Sequence, residues 1–313
     1  MLISIVIPAY NSAKTIERTI KSIYLDYFKF KNEFNVEVIV VNDGSDDSVS
    51  LKKIIKKYED VKFFEHKKNK GMCAARNTGI KKTKGSIVII LDSDDEFVPN
   101  WLEIFTRIYQ EWPKKTQVCF SQCKNQMGHI TADNPNFKGF LELKDILNEK
   151  NSGEYLPIFR GTFIRKSLYT DIGTKKSCGI ISYIKFAVES GSFWITNDIL
   201  RIYYDNQSGS ITGEWTSEKK AIETVKCYKS LFEYYESLYI DHAPNILKLK
   251  KLKLSVYLRL SRQKGYWREY TKGMSIIKWK ETLAVGFMLL AGINVSSMVA
   301  KLAKKIGLVR KYG

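Results

Sequence analysis

Histidine, cysteine and the commoner nucleotide-binding signatures are all scarce in this chain. His66, His129 and His242 are its only histidines, far apart in sequence, and read as structural or surface residues. Five cysteines (Cys73, Cys119, Cys123, Cys178 and Cys227) are an odd number without zinc-like spacing, which argues against a zinc site or a disulfide framework and reads as reduced thiols in a cytoplasmic protein. No apolar run follows a basic stretch at the amino end, so a secretory signal is not expected. No G-x-G-x-x-G follows the first apolar run, where Pro8-Ala9-Tyr10-Asn11 stands instead, and no G-x-x-x-x-G-K-[ST] occurs. Nicotinamide chemistry and P-loop ATP hydrolysis are therefore not expected. Acidic residues are nearly missing from the last fifth of the chain. Residues 248–313 hold 16 Lys/Arg against Glu269 and Glu281, which accounts for +14 of the net +18 and leaves +4 for the first 247 residues.

Ile87–Glu96, IVIILDSDDE, is the most informative stretch present. A continuous apolar run from Ile87 to Leu91 suits a strand buried on both faces. It leads into Asp92, Asp94 and Asp95, three carboxylates within four residues. At the carboxyl edge of a parallel sheet, such anions would repel one another unless a cation sits between them, and hard oxygen ligands suit Mg²⁺ or Mn²⁺. A solvated acidic turn is the plainer alternative for this stretch alone.

The preceding residues alternate strand and helix. Leu2–Ile7, Val36–Val41, Val61–Phe64 and Ile87–Leu91 read as strands. Helices are expected from about Ala13 to Tyr24, over Val49–Tyr58, and from Ala74 to about Lys82. Four alternations in about 95 residues predict an α/β, mostly parallel, doubly wound sheet with a cleft along one edge.

VIPAYN at Val6–Asn11, VNDGSDD at Val41–Asp47, NKGMCAARNTGI at Asn69–Ile80 and LDSDD at Leu91–Asp95 resemble, in order and spacing, family 2 glycosyltransferases of the GT-A fold. The resemblance covers roughly the first 110 residues. It implies that Pro8, Ala9, Tyr10 and Asn11 line a nucleotide pocket and that Asp43 accepts a hydrogen bond from the base, typically uracil. Lys70 and Gly71 would approach the nucleotide, and Arg76 and Asn77 would order the helix beneath the acidic loop. Asp92, with Ser93 beside it, would meet the ribose or the metal. Asp94 would hold a Mn²⁺ or Mg²⁺ bridging the diphosphate and so assist the leaving group.

The next hundred residues carry weaker signals. A helix over Asn100–Glu111, a strand over Val118–Cys123 and an irregular Met127–Gly139 are expected. Phe159–Tyr169 resembles the family segment that leads to the catalytic region, Trp194–Tyr204 its closing strand, and Gly209–Thr212 the end of the domain. Many relatives place an acidic pair, including the general base, shortly after the first of these. Here Ser177–Tyr183 holds no carboxylate. Asp171, Glu189 and Asp198 are the nearest in sequence. Asp171 and Glu189, the latter on a helix expected over Tyr183–Ser190, remain the candidates for the base.

The tail reads as helical from Ser217 to Tyr239, breaks at Pro244, and then alternates leucine with lysine over Leu247–Leu260. Thr282–Ala300 is 19 residues without a charge, at the edge of a membrane span but weakened by glycine, serine and asparagine. Ala284, Met288, Ala291, Val295, Met298 and Leu302 make one apolar helix face, flanked by Lys301, Lys304 and Lys305. This suits a helix lying in an anionic membrane interface, with residues 245–313 as the contact. No nucleic-acid motif accompanies the basic stretch, so nucleic acid is not the expected partner.

The expected organisation is a GT-A domain at 1–215, with donor binding at 1–110 and an acceptor half at 111–215. A helical, basic, membrane-associating extension follows at 216–313. The expected activity is metal-dependent, inverting transfer of a sugar from a nucleotide-diphosphate donor, UDP-linked by preference. The acceptor would be a glycan or lipid-linked glycan in bacterial capsule, exopolysaccharide or O-antigen synthesis. A cytoplasmic enzyme, peripheral at the inner face of the cell membrane, would serve that role. The competing reading is a non-catalytic nucleotide-sugar or lipid-carrier binding protein, motivated by the missing acidic pair.

Overall fold

The structure, a computed structural model, describes residues 1–25, 27–30, 33–175, 178–204, 217–275 and 279–291. The chain divides into two compact units, one of Met1–Leu143 and Asn151–Asp205, the other of Lys144–Lys150 and Asn206–Gly313. In chain order the elements run β1 (Leu2–Ala9), α1 (Ile16–Tyr24), α2 (Tyr27–Phe30), β2 (Asn35–Asn42), α3 (Ser48–Ile55), β3 (Val61–Glu65), α4 (Met72–Ile80) and β4 (Ile87–Ile90). Then come β5 (Glu96–Phe97), α5 (Trp101–Glu111), β6 (Val118–Asn125), β7 (Gly139–Glu142), α6 (Leu143–Leu147), β8 (Tyr155–Arg160), α7 (Gly161–Lys166), α8 (Gly179–Ser190) and β9 (Ser192–Tyr203). The second unit carries α9 (Glu218–His242), α10 (Pro244–Leu260), α11 (Tyr266–Gly273) and α12 (Trp279–Ala291).

The first unit is built on one sheet in the order β3-β2-β1-β4-β8-β6-β9-β5, with β7 added on β9. Helices lie on both faces of its amino-terminal half, because β1, β2 and β4 are apolar on both alternations. Ile3, Ile5 and Ile7 face a core shared with Ile16, Ile20 and Ile23 of α1, Leu51 of α3 and Phe105 of α5. Ile39 and Val41 face the other side and pack on Ala75 of α4. The four strands expected from sequence pair in parallel with one another. The rest of the sheet is mixed: β8 runs antiparallel to β4 and β6, β9 parallel to β6, and β5 and β7 antiparallel to β9. Strand direction leaves no mark in a hydrophobic pattern of period two, which is why "mostly parallel" holds only for the first half.

This topology puts the functional edge where a parallel sheet predicts it. Ala9, Asn42 and Glu65 end β1, β2 and β3 in register, and β4 is followed by the Leu91–Asp95 turn. The loops continue the ladder: Asp43 N–H donates to the Ala9 carbonyl at 2.8 Å, His66 N–H to Asn42 at 2.8 Å, and Leu91 N–H to Val6 at 3.0 Å. Because β8 is antiparallel to β4, its first residue lies at this same edge, next to the ends of β6 and β9.

At the opposite edge Glu37 is buried within β2. It accepts from Ser4 Oγ (2.5 Å), Lys62 Nζ (2.7 Å) and the backbone N–H groups of Lys84 (2.6 Å) and Gly85 (3.2 Å). Burial alone would raise its pKa, but these donors outweigh it and hold the carboxyl below its usual range. A carboxyl depressed on folding stabilises fully above its unfolded value, about 4.3, and loses that contribution as pH falls through the folded one. The stability gap between the parent and Glu37→Gln should therefore be widest near neutrality and narrow below about pH 4. A gap independent of pH in denaturant titrations would contradict this role.

In the second unit, α10 is a helix, and the leucine–lysine alternation does not place all its lysines in solvent. Lys250 and Lys251 are buried. Lys250 pairs with Glu149 at 2.7 Å, and Lys251 with Glu236 at 2.8 Å and Glu269 at 3.5 Å. A 3.6-residue period carries both onto the packed face, where their aliphatic stems extend the apolar contact. Of the apolar face expected in the tail, Ala284 packs with Val285 and Leu289 against Leu252. Val295, Met298 and Leu302 lie outside the described residues, as do Lys301, Lys304, Lys305 and Gly209–Thr212. No described helix is long and apolar enough to cross a membrane. Cys73, Cys119 and Cys123 are buried and not in disulfides. Cys178 and Cys227 are each disulfide-bonded, which corrects the expectation of five reduced thiols; sequence spacing carries no information on which side chains meet.

Candidate active site

The acidic turn Asp92–Asp95 is gripped by three arginines from three elements. Arg76 on α4 donates to Asp92 at 3.0 Å. Arg201 on β9 lies 3.7 Å from Asp92 and 3.2 Å from Asp95. Arg18 on α1 donates to the Asp94 carbonyl, pairs with Glu96 at 2.8 Å, and stacks over Tyr204 at 3.6 Å. Tyr204 completes the frame by donating its N–H to Asp95 (3.1 Å) and its hydroxyl to Glu96 (2.6 Å).

The three carboxylates thereby acquire different characters. Burial raises the Asp92 pKa, but Arg76 and Arg201 outweigh it and hold the group below the usual range. Burial and the charge on Asp92 push Asp94 up. Asp95, almost fully buried, is pushed up to about 8, chiefly by burial, against the pull of Arg201. Asp94 is the one whose carboxylate has no ion pair among the described residues. Among those residues no group of three or more His, Cys, Asp or Glu side chains could hold a metal. A divalent cation drawn to this turn would find Asp94 and, beside it, Asp92. That suits Mg²⁺ or Mn²⁺, which take most of their shell from water and phosphate.

The second polar loop is pinned by Asp43. Its Oδ1 accepts the Lys70 N–H at 3.0 Å and lies 2.6 Å from His66 Nδ1, and its Oδ2 accepts the Gly71 N–H at 2.7 Å. His66 Nε2 in turn meets Thr78 at 2.9 Å. With three partners and 3% exposure, Asp43 fixes the loop shape first; a carboxylate with about four acceptor positions keeps room for one further donor. Gly71 adopts φ +100°, and a Cβ there would lie 2.2 Å from the Thr174 carbonyl oxygen. Only glycine allows that approach.

Asn11, in the left-handed region at φ 52°, exchanges hydrogen bonds with Asp46, donating at 3.1 Å and accepting its N–H at 2.8 Å. This ties the loop after β1 to the loop after β2 and leaves the Tyr10 ring exposed at the edge. Pro8 and Ala9 are buried strand residues. Asn77 faces elsewhere: it clamps the Tyr169 backbone, donating at 2.8 Å and accepting at 2.9 Å. Ser93 is buried within the acidic turn.

Neither candidate for the base joins this group. Asp171 is exposed and accepts the Gly173 N–H at 2.8 Å. Glu189 ends α8, bonded to Ser167 and 4.0 Å from Lys185. The next strand, β9, starts opposite Val118, whose partner Phe159 pairs with Val88, so Glu189 lies toward the sheet edge away from Asp92. Asp198 is held by Arg107 and Thr196. Sequence reasoning missed Arg18, Arg201 and Glu154; α1 carries the first to the acidic turn, and strand pairings between distant segments bring the other two.

The family model for glycosyl transferase family 2 matches residues 4–173, more than half of the chain, including the loops that follow β1, β2, β3 and β4. The chain belongs to glycosyl transferase family 2. An uncharacterised glycosyltransferase of Rickettsia conorii is 41% identical over 110 residues, covering 35% of this chain and 17% of that protein. The poly(ribitol-phosphate) β-N-acetylglucosaminyltransferase TarP of Staphylococcus aureus is 37% identical over 95 residues, 30% of this chain and 28% of TarP. The minor teichoic acid biosynthesis protein GgaB of Bacillus subtilis matches over 82% of this chain, at 23% identity, and 28% of its own length. The matched stretches are thus a minor part of these curated relatives. In fold, S. aureus TarS 1–349 in complex with UDP-GlcNAc aligns with 98% of this chain and 92% of its own, TM-score 0.56, at 15% identity. The mannosyltransferase PcManGT of Pyrobaculum calidifontis, with GDP-Man and Mn²⁺, aligns with 98% and 85%, TM-score 0.54, at 16% identity. The GT-A fold expected from sequence is the fold observed.

Proposed function

We propose that this family 2 protein transfers a sugar from a nucleotide-diphosphate donor, UDP-linked by preference, to a glycan or lipid-linked glycan of the bacterial cell surface, with inversion at the anomeric carbon. The observation that carries the reading is Asp94, partly buried beside Asp92 and Asp95 and without an ion pair among the described residues, at the edge where nucleotide-binding loops converge. Asp94 and Asp92 would hold Mn²⁺ or Mg²⁺, which supplies positive charge to the departing diphosphate. Pro8, Ala9, Tyr10, Asn11 and Asp43 would bound the base, Lys70 and Gly71 the nucleotide, with Arg76 and Ser93 fixing the acidic turn. Asn77 would act by holding the Tyr169 backbone. Relatives named for teichoic acid enzymes support a cell-surface polymer as the acceptor.

Thermal stability against a panel of UDP- and GDP-sugars, with and without Mn²⁺, tests the reading. A ligand that binds only the folded state stabilises by mass action, about 2.7 kcal/mol at a hundredfold excess over Kd. A metal-dependent rise in midpoint with one nucleotide class is expected. No shift with any of them would refute the proposal, and a shift without sugar release would favour the non-catalytic binding protein instead.

Peripheral association with anionic membrane through residues 245–313 remains part of the proposal. Exposed Trp267, Trp279, Leu283 and Leu290 support it, although Lys250 and Lys251 are committed to internal ion pairs. Co-sedimentation with anionic but not neutral vesicles is the expected result, and equal sedimentation with both would sink it.

A further inference from the structure

No carboxylate stands at 178–183, where the family resemblance implies the base, yet the fold brings one to the acidic turn from another direction. Glu154 immediately precedes β8, and the antiparallel pairing of β8 with β4 delivers it to the edge where Asp92 leaves β4. Its side chain is 36% exposed, and its carboxylate lies 3.6 Å from Arg201, the guanidinium that also contacts Asp92 and Asp95. Glu154 and Asp92 both act on the Tyr183 hydroxyl, and Glu154, Asp95 and Asp94 on that of Tyr203, adding to the effect of burial on each. Tyr183 belongs to the segment that lacks the acidic pair, so Glu154 reaches by way of β8 the neighbourhood that this segment leaves without a carboxylate.

The placement is built rather than incidental. Gly153, at φ +144°, passes so close to residues 131–132 that a Cβ would sit 2.5 Å from the Thr131 carbonyl oxygen. Thr131 Oγ1 donates to the Glu154 carbonyl at 2.8 Å, and Asp133 N–H to that of Ser152 at 2.7 Å. The backbone on both sides of Glu154 is fixed while its side chain stays partly open.

We infer that Glu154 is the general base of this enzyme. The assignment rests on the glycosyl-transfer reading. In the step, the acceptor hydroxyl oxygen forms a bond to the anomeric carbon while its proton passes to the Glu154 carboxylate. The bond from that carbon to the diphosphate oxygen breaks, and its electron pair leaves with the nucleoside diphosphate. Arg201 aligns the carboxylate from behind through a contact that leaves the other carboxylate oxygen to the acceptor.

The test needs no knowledge of the natural acceptor, because water can take its place. Full-length protein with Mn²⁺ is incubated with UDP-GlcNAc, UDP-glucose, UDP-galactose, UDP-GalNAc and GDP-mannose, and nucleotide release is followed for the parent and for Glu154→Gln. The expected result is a fall in release of about 100-fold or more in the variant, with the donor-induced thermal shift retained. Sodium azide, an anionic nucleophile with no proton to lose, should restore release in Glu154→Gln and yield a glycosyl azide. Unchanged release in Glu154→Gln would overturn the assignment and leave the glycosyl-transfer reading standing. So would a fall that azide does not restore, since Glu154 would then act only through Arg201. A parent that neither binds nor cleaves any of the donors would overturn the broader reading itself, and the assignment with it.

Discussion

Replacing Arg201 by methionine is expected to lower the unfolding free energy by about 3–5 kcal/mol, a large fraction of the stability of a domain. Arg201 is 3% exposed and lies within ion-pair distance of Asp92, Asp95 and Glu154. It also donates to Cys123 Sγ at 3.1 Å and to the Tyr155 carbonyl at 3.4 Å. Methionine fills comparable space but leaves Asp92 and Asp95 facing each other without the shared cation. Breaking a buried pair from one side is costly because the other charge, here that of Asp92, stays behind. Arg201→Lys should recover only part of the loss, since an ammonium cannot reproduce a planar fork engaged with several partners at once. Denaturant titrations of the two variants check this. A Met variant within 1 kcal/mol of the parent would contradict the account of the acidic turn as a charge cluster organised by this residue.

Asp43→Ala carries the second large effect, on the order of 3 kcal/mol, because it strips the acceptor from the Lys70 N–H, the Gly71 N–H and His66 together. Asp43 is buried, so water does not freely replace it. The loop it pins includes Gly71, whose backbone approach to Thr174 depends on its present shape. Loss of stability should therefore be accompanied by loss of any nucleotide-induced thermal shift, even at temperatures where the variant is folded. Asp43→Asn keeps one acceptor oxygen but turns an NH₂ group toward these donors, so it should resemble Asp43→Ala more than the parent. A nucleotide shift that survives in Asp43→Ala would show that the loop shape does not matter for binding.

The sheet edge that carries the proposed donor site was legible because each of its elements is local. A strand, its polar exit and the next helix occupy consecutive residues, so Pro8–Asn11, Asp43, Lys70–Gly71 and Asp92–Asp94 could be read in order. Parallel pairing then needed only the βα alternation to bring them to one edge. The other half was not legible in this way. Arg201 and Glu154 reach Asp92 through the order β4-β8-β6-β9, a set of pairings between residues 33 to 78 positions apart that no periodicity encodes. Glu189 looked available on a helix, but chain direction in β9 carries it toward the far edge. Lys250 and Lys251 were expected within the membrane-contacting stretch 245–313, because their internal partners, Glu149, Glu236 and Glu269, are distant in sequence or unremarked. Glu37 likewise broke an apolar strand for a reason found only in Ser4, Lys62 and the turn at Lys84.

The central claim is that Asp94 holds a divalent cation together with a nucleoside diphosphate. Electron paramagnetic resonance of Mn²⁺ tests it most directly, because the six-line signal of the aqueous ion weakens when the ion is bound. Adding the parent protein with UDP to Mn²⁺ should weaken that signal well beyond what UDP alone produces, and Asp94→Ala with UDP should return it to the UDP-only level. Equal weakening by the parent and by Asp94→Ala would contradict the claim and place any metal elsewhere.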